Sequence, residues 1–339
     1  MKRRFRISKV RKSRDAKGIK YESDYQVEWN KYIPTLKNFE LQSVDFLSIS
    51  GDAPKDFVTD KEYRSGHRSS RKPKDSFIAK VGSKFYPLES LIEQFITQVG
   101  QCFGLKIADS KLRLIDGQVR FLSKYFLKSG EQLTHGAEIY EYSIGKENYA
   151  QLSEKKEEAD YFTFQMTCEA IKVLFPENHQ QIIAGYVEML TFDAMIGHND
   201  RHPYNWGVIV PIFRNRLPRF APVFDTARAL FWNIPEKRVV TMLTNNASFE
   251  SYINNCRAPI GWDEKTSVDF FELIALIWKE FFFCREHIEK FLDADKLKDI
   301  AGILDKDFGE MISEERRELI KRCLHLRQNK LKEAISKMK

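Results

Sequence analysis

Fifteen residues, IGHNDRHPYNWGVIV from Ile196 to Val210, constrain this chain more than any other stretch. His198, Asn199, Asp200, His202 and Asn205 fall within eight positions, and Trp206 to Val210 then run apolar. Ligand-type side chains at the mouth of a buried strand need partners, because an unpaired polar group at a core edge costs free energy. A second apolar run, FAPVFD, ends on Asp225 after the turn-like RNRLP. If WGVIV and APVF pair as an antiparallel hairpin, Asp200, Asn205 and Asp225 meet at one rim. All three supply hard oxygen donors, the kind of set that suits Mg²⁺ held jointly with phosphates.

The rest of the chain reads as a small β-rich unit, a connector and a mainly helical unit with that hairpin inserted. YQVEWNKYI and VDFLSIS are short strand or helix pieces, and the polar GDAPKDFVTDKEYRSGHRSSRKPKD reads as a loop. SFIAKVG is a short strand. Leu88, Leu91, Ile92, Phe95, Ile96 and Val99 recur at helical spacing. KLRLIDGQVRFLSKYFL predicts a hairpin turning at Asp116-Gly117. Residues 144–160 form a charged, exposed connector. YFTFQMTCEAIKVLF and HQQIIAGYVEMLTFDAMIG are amphipathic, the pattern is helical from Ser267 onward, and a long basic-faced helix closes the chain. The expected units are a basic tail over 1–20, an N-lobe over 21–128 and a helical C-lobe over 129–339 carrying the catalytic hairpin 196–225.

Charge and cysteine usage narrow the function classes. Residues 1–20 hold ten Lys/Arg and one Asp, a charge of +9, while the other 319 residues hold 45 basic and 47 acidic, a charge of −2. The folded part therefore gives no electrostatic reason for specific DNA binding. The tail suits an acidic partner, an import receptor or an anionic surface. Five scattered cysteines without a CxxC fit a reduced, cytoplasmic chain. No apolar run reaches membrane length, and no h-region follows the basic start.

Asp200 to Asn205 has the Asp-x-x-x-x-Asn spacing of a protein-kinase catalytic loop. In such a loop the Asp takes the substrate hydroxyl proton, the Asn holds one metal, and a later Asp holds metals bridging the phosphates. Lys80, near the end of its strand, offers a cation for those phosphates. Glu93 on the following helix is a candidate partner, with Glu89 competing. A turn at Gly51, with Lys55 close by, offers backbone N–H groups to phosphate. The stretch FLSKYF, with Ser123, Tyr125 and Phe126, sits between the two units, where backbone groups can take an adenine edge.

Taken together, SISGDAPKD, SFIAK, IEQFITQVGQCFGL, FDAMIGHNDRHPYNWGVI and FAPVFDTARAL resemble the HipA-type serine/threonine kinases. The resemblance spans residues 44–235 and implies an α+β, two-lobed protein-kinase-like fold that uses ATP and Mg²⁺ on a protein Ser or Thr. Carried over, Asp200 is the base, Asn205 and Asp225 are metal ligands, Lys80 binds phosphate with Glu93 as its partner, and His202 orients the loop. Ser48 matches a phosphate-loop serine open to autophosphorylation. Small size and a basic start are most similar to a compact, pro-inflammatory, cell-translocating branch, which implies secretion and entry into host cells. The sequence departs from ordinary kinases at His-Asn-Asp (His198 to Asp200), at Asp-Thr-Ala from Asp225, and in a phosphate loop with one central glycine. Two rivals stand beside this reading. One is a metal-dependent hydrolase built on His198, Asp200 and His202. The other is a non-catalytic kinase-like adaptor docking through its tail.

Overall fold

Each apolar position expected on the first long helix is buried: Leu88, Leu91, Ile92, Phe95, Ile96 and Val99. Their 3–4 spacing makes one continuous stripe, and burying such a stripe is what holds an amphipathic helix in place. This helix, α1 (Pro87–Cys102), packs on a five-stranded antiparallel sheet in the order β1-β2-β3-β5-β4. The strands are β1 (Leu41–Ser43), β2 (Lys55–Asp60), β3 (Ser76–Val81), β4 (Ser110–Ile115) and β5 (Gln118–Lys124). The computed structural model describes residues 28–36, 41–43, 55–60, 75–81, 87–115, 117–213, 216–266 and 268–339. Gly51 and Ser48 lie outside the described residues.

The β4–β5 hairpin turns where expected. Ile115 pairs with Gln118, and Gly117 takes φ +75, a left-handed conformation glycine adopts without steric cost. The polar stretch after Gly51 is not all loop. Residues 55–60 of it form β2, an interior strand of the sheet, with Val58 fully buried. Only Phe57 and Val58 are apolar there, so periodicity was too weak to reveal a strand held by neighbours on both edges. In the piece read as YQVEWNKYI, Trp29–Tyr32 is one helical turn.

Beyond β5 the chain becomes mainly helical, giving the two-lobed kinase-like arrangement. β6 (Glu131–His135), β7 (Gly207–Pro211) and β8 (Arg219–Phe220) make a small second sheet. Around it lie α2 (Gly136–Ile144), α3 (Lys146–Lys155), α4 (Phe164–Leu174) and α5 (His179–Ile196), then α6 (Glu236–Thr244), α7 (Asn246–Asn254), α8 (Phe270–Glu280), α9 (Ala294–Phe308) and α10 (Glu314–Ser336). The charged connector is itself helical: α3 plus a turn at Glu158–Tyr161, anchored by the buried Tyr149.

Helix α5 is buried almost all round, as a central helix must be. It stops at Gly197, whose φ of +69 and whose contact with the Arg327 guanidinium leave no room for a Cβ. Arg327, on the supposedly basic-faced α10, is itself buried and donates to the carbonyls of Ala194 (3.0 Å) and Ile253 (3.2 Å). A buried guanidinium thus satisfies the C-terminal end of the helix that delivers the Ile196–Val210 stretch. All five cysteines are free thiols.

Candidate active site

Strand β3 and helix α1 bring Lys80 and Glu93 together. Lys80 lies opposite Phe121 of β5 and Lys55 of β2 in the strand register. Its ammonium donates to Glu93 Oε1 at 2.7 Å and to Asp225 Oδ1 at 2.9 Å. The three side chains are 11%, 4% and 26% exposed, so the pair on the sheet side is dry and the Asp225 side faces solvent. Glu89, the competing carboxylate, is also buried, but the short contact belongs to Glu93.

The charge balance of this trio is uneven. Burial alone would lower the Lys80 ammonium; the Asp225 and Glu93 carboxylates override it and hold it above the usual lysine range. Burial pushes Glu93 up to about 7 against the pull of Lys80, with Asp225 adding repulsion. One ammonium serves two carboxylates, and Asp225 is the more exposed of them, on the side a divalent cation can approach.

Asp225 reaches Lys80 because the expected hairpin is cut short. β7 pairs antiparallel with Arg219 and Phe220 only, at Ile209↔Arg219 and Val208↔Phe220. Ala221 N–H still donates to Gly207 O (2.9 Å), and the chain then leaves that sheet: Val223 N–H donates to Lys106 O (2.7 Å) and Val223 O accepts from Ala108 N–H (2.9 Å), a parallel bridge to Ile107. Past Ala221, APVF is therefore not a hairpin arm but a link to the Lys106–Ala108 segment. Asp225 then takes φ +57, a left-handed conformation that costs a non-glycine residue about 1 kcal/mol.

Inside the loop the organising residue is Arg201, which the sequence reading passed over. Its Nε and Nη2 grip Asp193 of α5 at 2.7 and 2.8 Å, and its Nη1 donates to the carbonyls of Asn205 (2.6 Å) and Phe224 (2.9 Å). Arg201 and Asp193 are both buried. One guanidinium thus ties α5, the Asp200–Asn205 loop and the residue before Asp225 into one unit. Ordinary kinases place an arginine before the loop aspartate; here Arg201 follows it. A buried aspartate one α5 turn before Gly197 was the available signal, but only the fold pairs it with Arg201.

Asn205 is buried and donates Nδ2 to Asp200 O at 2.9 Å, which leaves its Oδ1 as an acceptor for a cation. Asp200 is half-exposed and paired with Arg228 (3.2 Å, Nη1 to Oδ2), a second residue not anticipated. His202 is exposed; its backbone carbonyl takes the Asn205 N–H (2.8 Å), while the side chain that grips the loop from within is Arg201. Donor types, loop anchoring and the exposed side of Asp225 fit a hard divalent ion held by Asn205 and Asp225.

The segment between the lobes is partly committed to structure. Ser123 pairs in β5, and the Tyr125 N–H donates to Ser76 O (2.8 Å), so that amide does not serve an adenine. The Tyr125 ring packs edge-on against Phe57 (5.1 Å) and Phe126 lies 5.7 Å from Phe224.

The hydrolase reading finds no support in this geometry. The His198 side chain is 1% exposed, with Nδ1 3.8 Å from Asp193, whereas His202 is on the surface. Among the described residues no three His, Cys, Asp or Glu gather into a metal set. Burial, reinforced by Arg201, pushes the His198 imidazole well below the usual histidine range. The unfolded chain takes up this proton near pH 6.5 and the folded chain does not. Stability from this group is therefore complete above that pH and lost below it, by up to about 1.4 kcal/mol per pH unit. Urea midpoints from neutral to acidic pH should show a steeper loss in wild type than in His198→Asn; equal slopes would refute it.

The family model for the HipA-like C-terminal domain matches residues 47–277. The chain belongs to the HipA-like family. Among solved structures, this HipA-like chain is similar to the Helicobacter pylori proinflammatory kinase CtkA, with a TM-score of 0.66 and 17% identity over 90% of this chain and 98% of that one. A chain of the Shewanella oneidensis HipA, HipB and operator DNA complex gives a TM-score of 0.48 and 12% identity over 86% and 67%. No curated protein matches. The family and the fold support a kinase-like function. No helix among the described residues is long and apolar enough to cross a membrane.

Proposed function

We propose that the chain is a protein serine/threonine kinase that transfers the γ-phosphoryl group of ATP with Mg²⁺. The observation that carries this reading is one ammonium, Lys80, held at 2.7 and 2.9 Å by carboxylates from opposite lobes, Glu93 and Asp225. In this reading Glu93 keeps Lys80 extended from β3 and charged, so that it meets the phosphates as a fixed cation. Asn205 and Asp225 hold the metal, which supplies charge neutralisation to the phosphates when bound. Asp200, at the loop surface, accepts the proton of the acceptor hydroxyl. Arg201 fixes the spacing of those three groups, and Arg228 holds the Asp200 carboxylate until an acceptor arrives. Most of the rate gain comes from position and electrostatics. The likeness to a proinflammatory kinase extends the proposal to action outside the producing cell, and Ser48 is a candidate site of autophosphorylation.

The test is direct. Purified chain with labelled ATP and Mg²⁺ should transfer label to Ser or Thr, and Asp200→Ala should cut the rate by roughly 10²- to 10⁴-fold. Equal labelling by the two proteins would end the proposal.

A further inference from the structure

The segment that follows Asp225 turns on strained backbone. Five non-glycine residues take positive φ among the described residues, and three of them lie between Asp225 and Phe231. Leu230 (φ +47) and Phe231 (φ +63) are adjacent, and both are fully buried. Left-handed backbone is costly for side chains of this size and persists only where the surroundings impose it. Here two residues from distant helices impose it. The Phe231 N–H donates to the Tyr252 hydroxyl of α7 at 2.8 Å, and the two rings stack with centroids 4.2 Å apart. Arg316 of α10, fully buried, donates Nη1 to the Phe231 carbonyl at 2.7 Å and Nη2 to the Ile234 carbonyl. Its Nε donates to Glu236 of α6 at 2.8 Å, and Ser313, which caps α10, donates to the other oxygen of that carboxylate at 2.6 Å. Glu236 alone would join α10 to α6. The further bonds to Phe231 and Ile234 fix the turn itself.

What the clamped turn delivers is Arg228. Trp232 N–H donates to Ala229 O at 3.1 Å, and the Trp232 ring lies 5.9 Å from the Arg228 guanidinium. Arg228 Nη1 then reaches the Asp200 carboxylate at 3.2 Å. The two side chains are 40% and 34% exposed, a setting in which an ion pair contributes little by itself. A half-exposed arginine also gives up rotamer freedom to stay in one place. It stays on Asp200 because the backbone beneath it is fixed.

We propose that Arg316 and Tyr252 are positioning residues for phosphotransfer: they lock the Ala229–Ile234 turn so that Arg228 holds the Asp200 carboxylate in place for the acceptor hydroxyl. This rests on the reading of Asp200 as the base. The two residues act through Arg228 and touch neither acceptor nor nucleotide in this reading. A helix start nearly a hundred residues beyond the loop thereby sets the geometry of the base.

The measurement is label transfer by full-length protein from ATP with Mg²⁺, onto the chain itself and onto added casein. Arg228→Gln should lower the maximal rate by roughly 10- to 100-fold, the scale of a misplaced catalytic group. Tyr252→Phe keeps the stacked ring and removes one hydrogen bond, and should lower the rate by about fivefold. Arg316→Lys should lower it further. The ATP concentration for half-maximal rate should stay at the wild-type value in all three, because Arg228 serves the base and not the nucleotide. In an Arg228→Gln background neither Tyr252→Phe nor Arg316→Lys should lower the rate again, although each still lowers the urea midpoint. Arg228→Lys, which keeps the charge, should restore the response to Tyr252→Phe. If Arg316→Lys does not fold, the Tyr252→Phe cycle decides. Losses that multiply in the double variants, or an unchanged rate in Tyr252→Phe or Arg228→Gln, would overturn the positioning role and leave the kinase reading intact. No label from the wild-type chain would remove the kinase reading, and this proposal with it.

Discussion

Arg201→Ala should destabilise the chain by about 3–5 kcal/mol, the range for removing one partner of a buried ion pair. Few substitutions in a domain with a net stability of about 5–15 kcal/mol weigh more. The reason is the number of groups left without a donor. The two buried Asp193 oxygens lose the guanidinium, and the carbonyls of Asn205 and Phe224 lose theirs. Arg201→Lys should recover only part of this, because three donors on a compact ammonium cannot span four acceptors held on three segments. Asp193→Asn keeps the shape and loses the charge, so it should fall between. Chemical unfolding followed by fluorescence is the measurement; Trp206, next to Asn205, is a local probe. A loss under about 1 kcal/mol for Arg201→Ala would mean that the loop is held some other way.

Asp225→Asn should leave the fold and remove the chemistry. The Lys80–Glu93 pair at 2.7 Å remains in place, and Asp225 is the more exposed of the two carboxylates on Lys80. Under the proposed mechanism the lost charge weakens the hold on Mg²⁺, a contribution of several kcal/mol to the transition state, or a fall of roughly 10³ in phosphotransfer. The Mg²⁺ concentration for half-maximal rate should rise in parallel. Lys80→Met gives the complementary result. It should also slow transfer, but with a smaller change in metal dependence, because it removes the phosphate cation and not a metal ligand. Asp225→Asn with more than a tenth of wild-type activity at ordinary Mg²⁺ would rule out the metal role.

Much of this site could be read along the chain. The spacing of Asp200 to Asn205 is local, because residues five apart in one loop are neighbours by covalent connection. The Leu88-to-Val99 stripe placed α1, and α1 in turn placed a glutamate against the sheet. The β4–β5 turn was legible because few dipeptides accept its backbone. The failures share one cause. β2 has no periodic pattern worth the name, and its place is set by hydrogen bonds to β1 and β3. APVF is as apolar as a hairpin arm, yet Val223 bonds to Lys106 and Ala108 over a hundred residues earlier. The arginines of α10 look like a solvated face, although Arg327 is buried against the end of α5.

Local chemistry therefore set the cast: a carboxylate–amide loop, a lysine strand, an amphipathic helix and a later aspartate. Packing set the roles. It placed Glu93 2.7 Å from Lys80, gave Arg201 to Asp193 and Arg228 to Asp200, and brought Asp225, at a positive φ, to Lys80. Periodicity reports what one segment prefers to bury. Which charge meets which is fixed only when distant segments close around them and exclude water, and that energy has no trace in any single stretch.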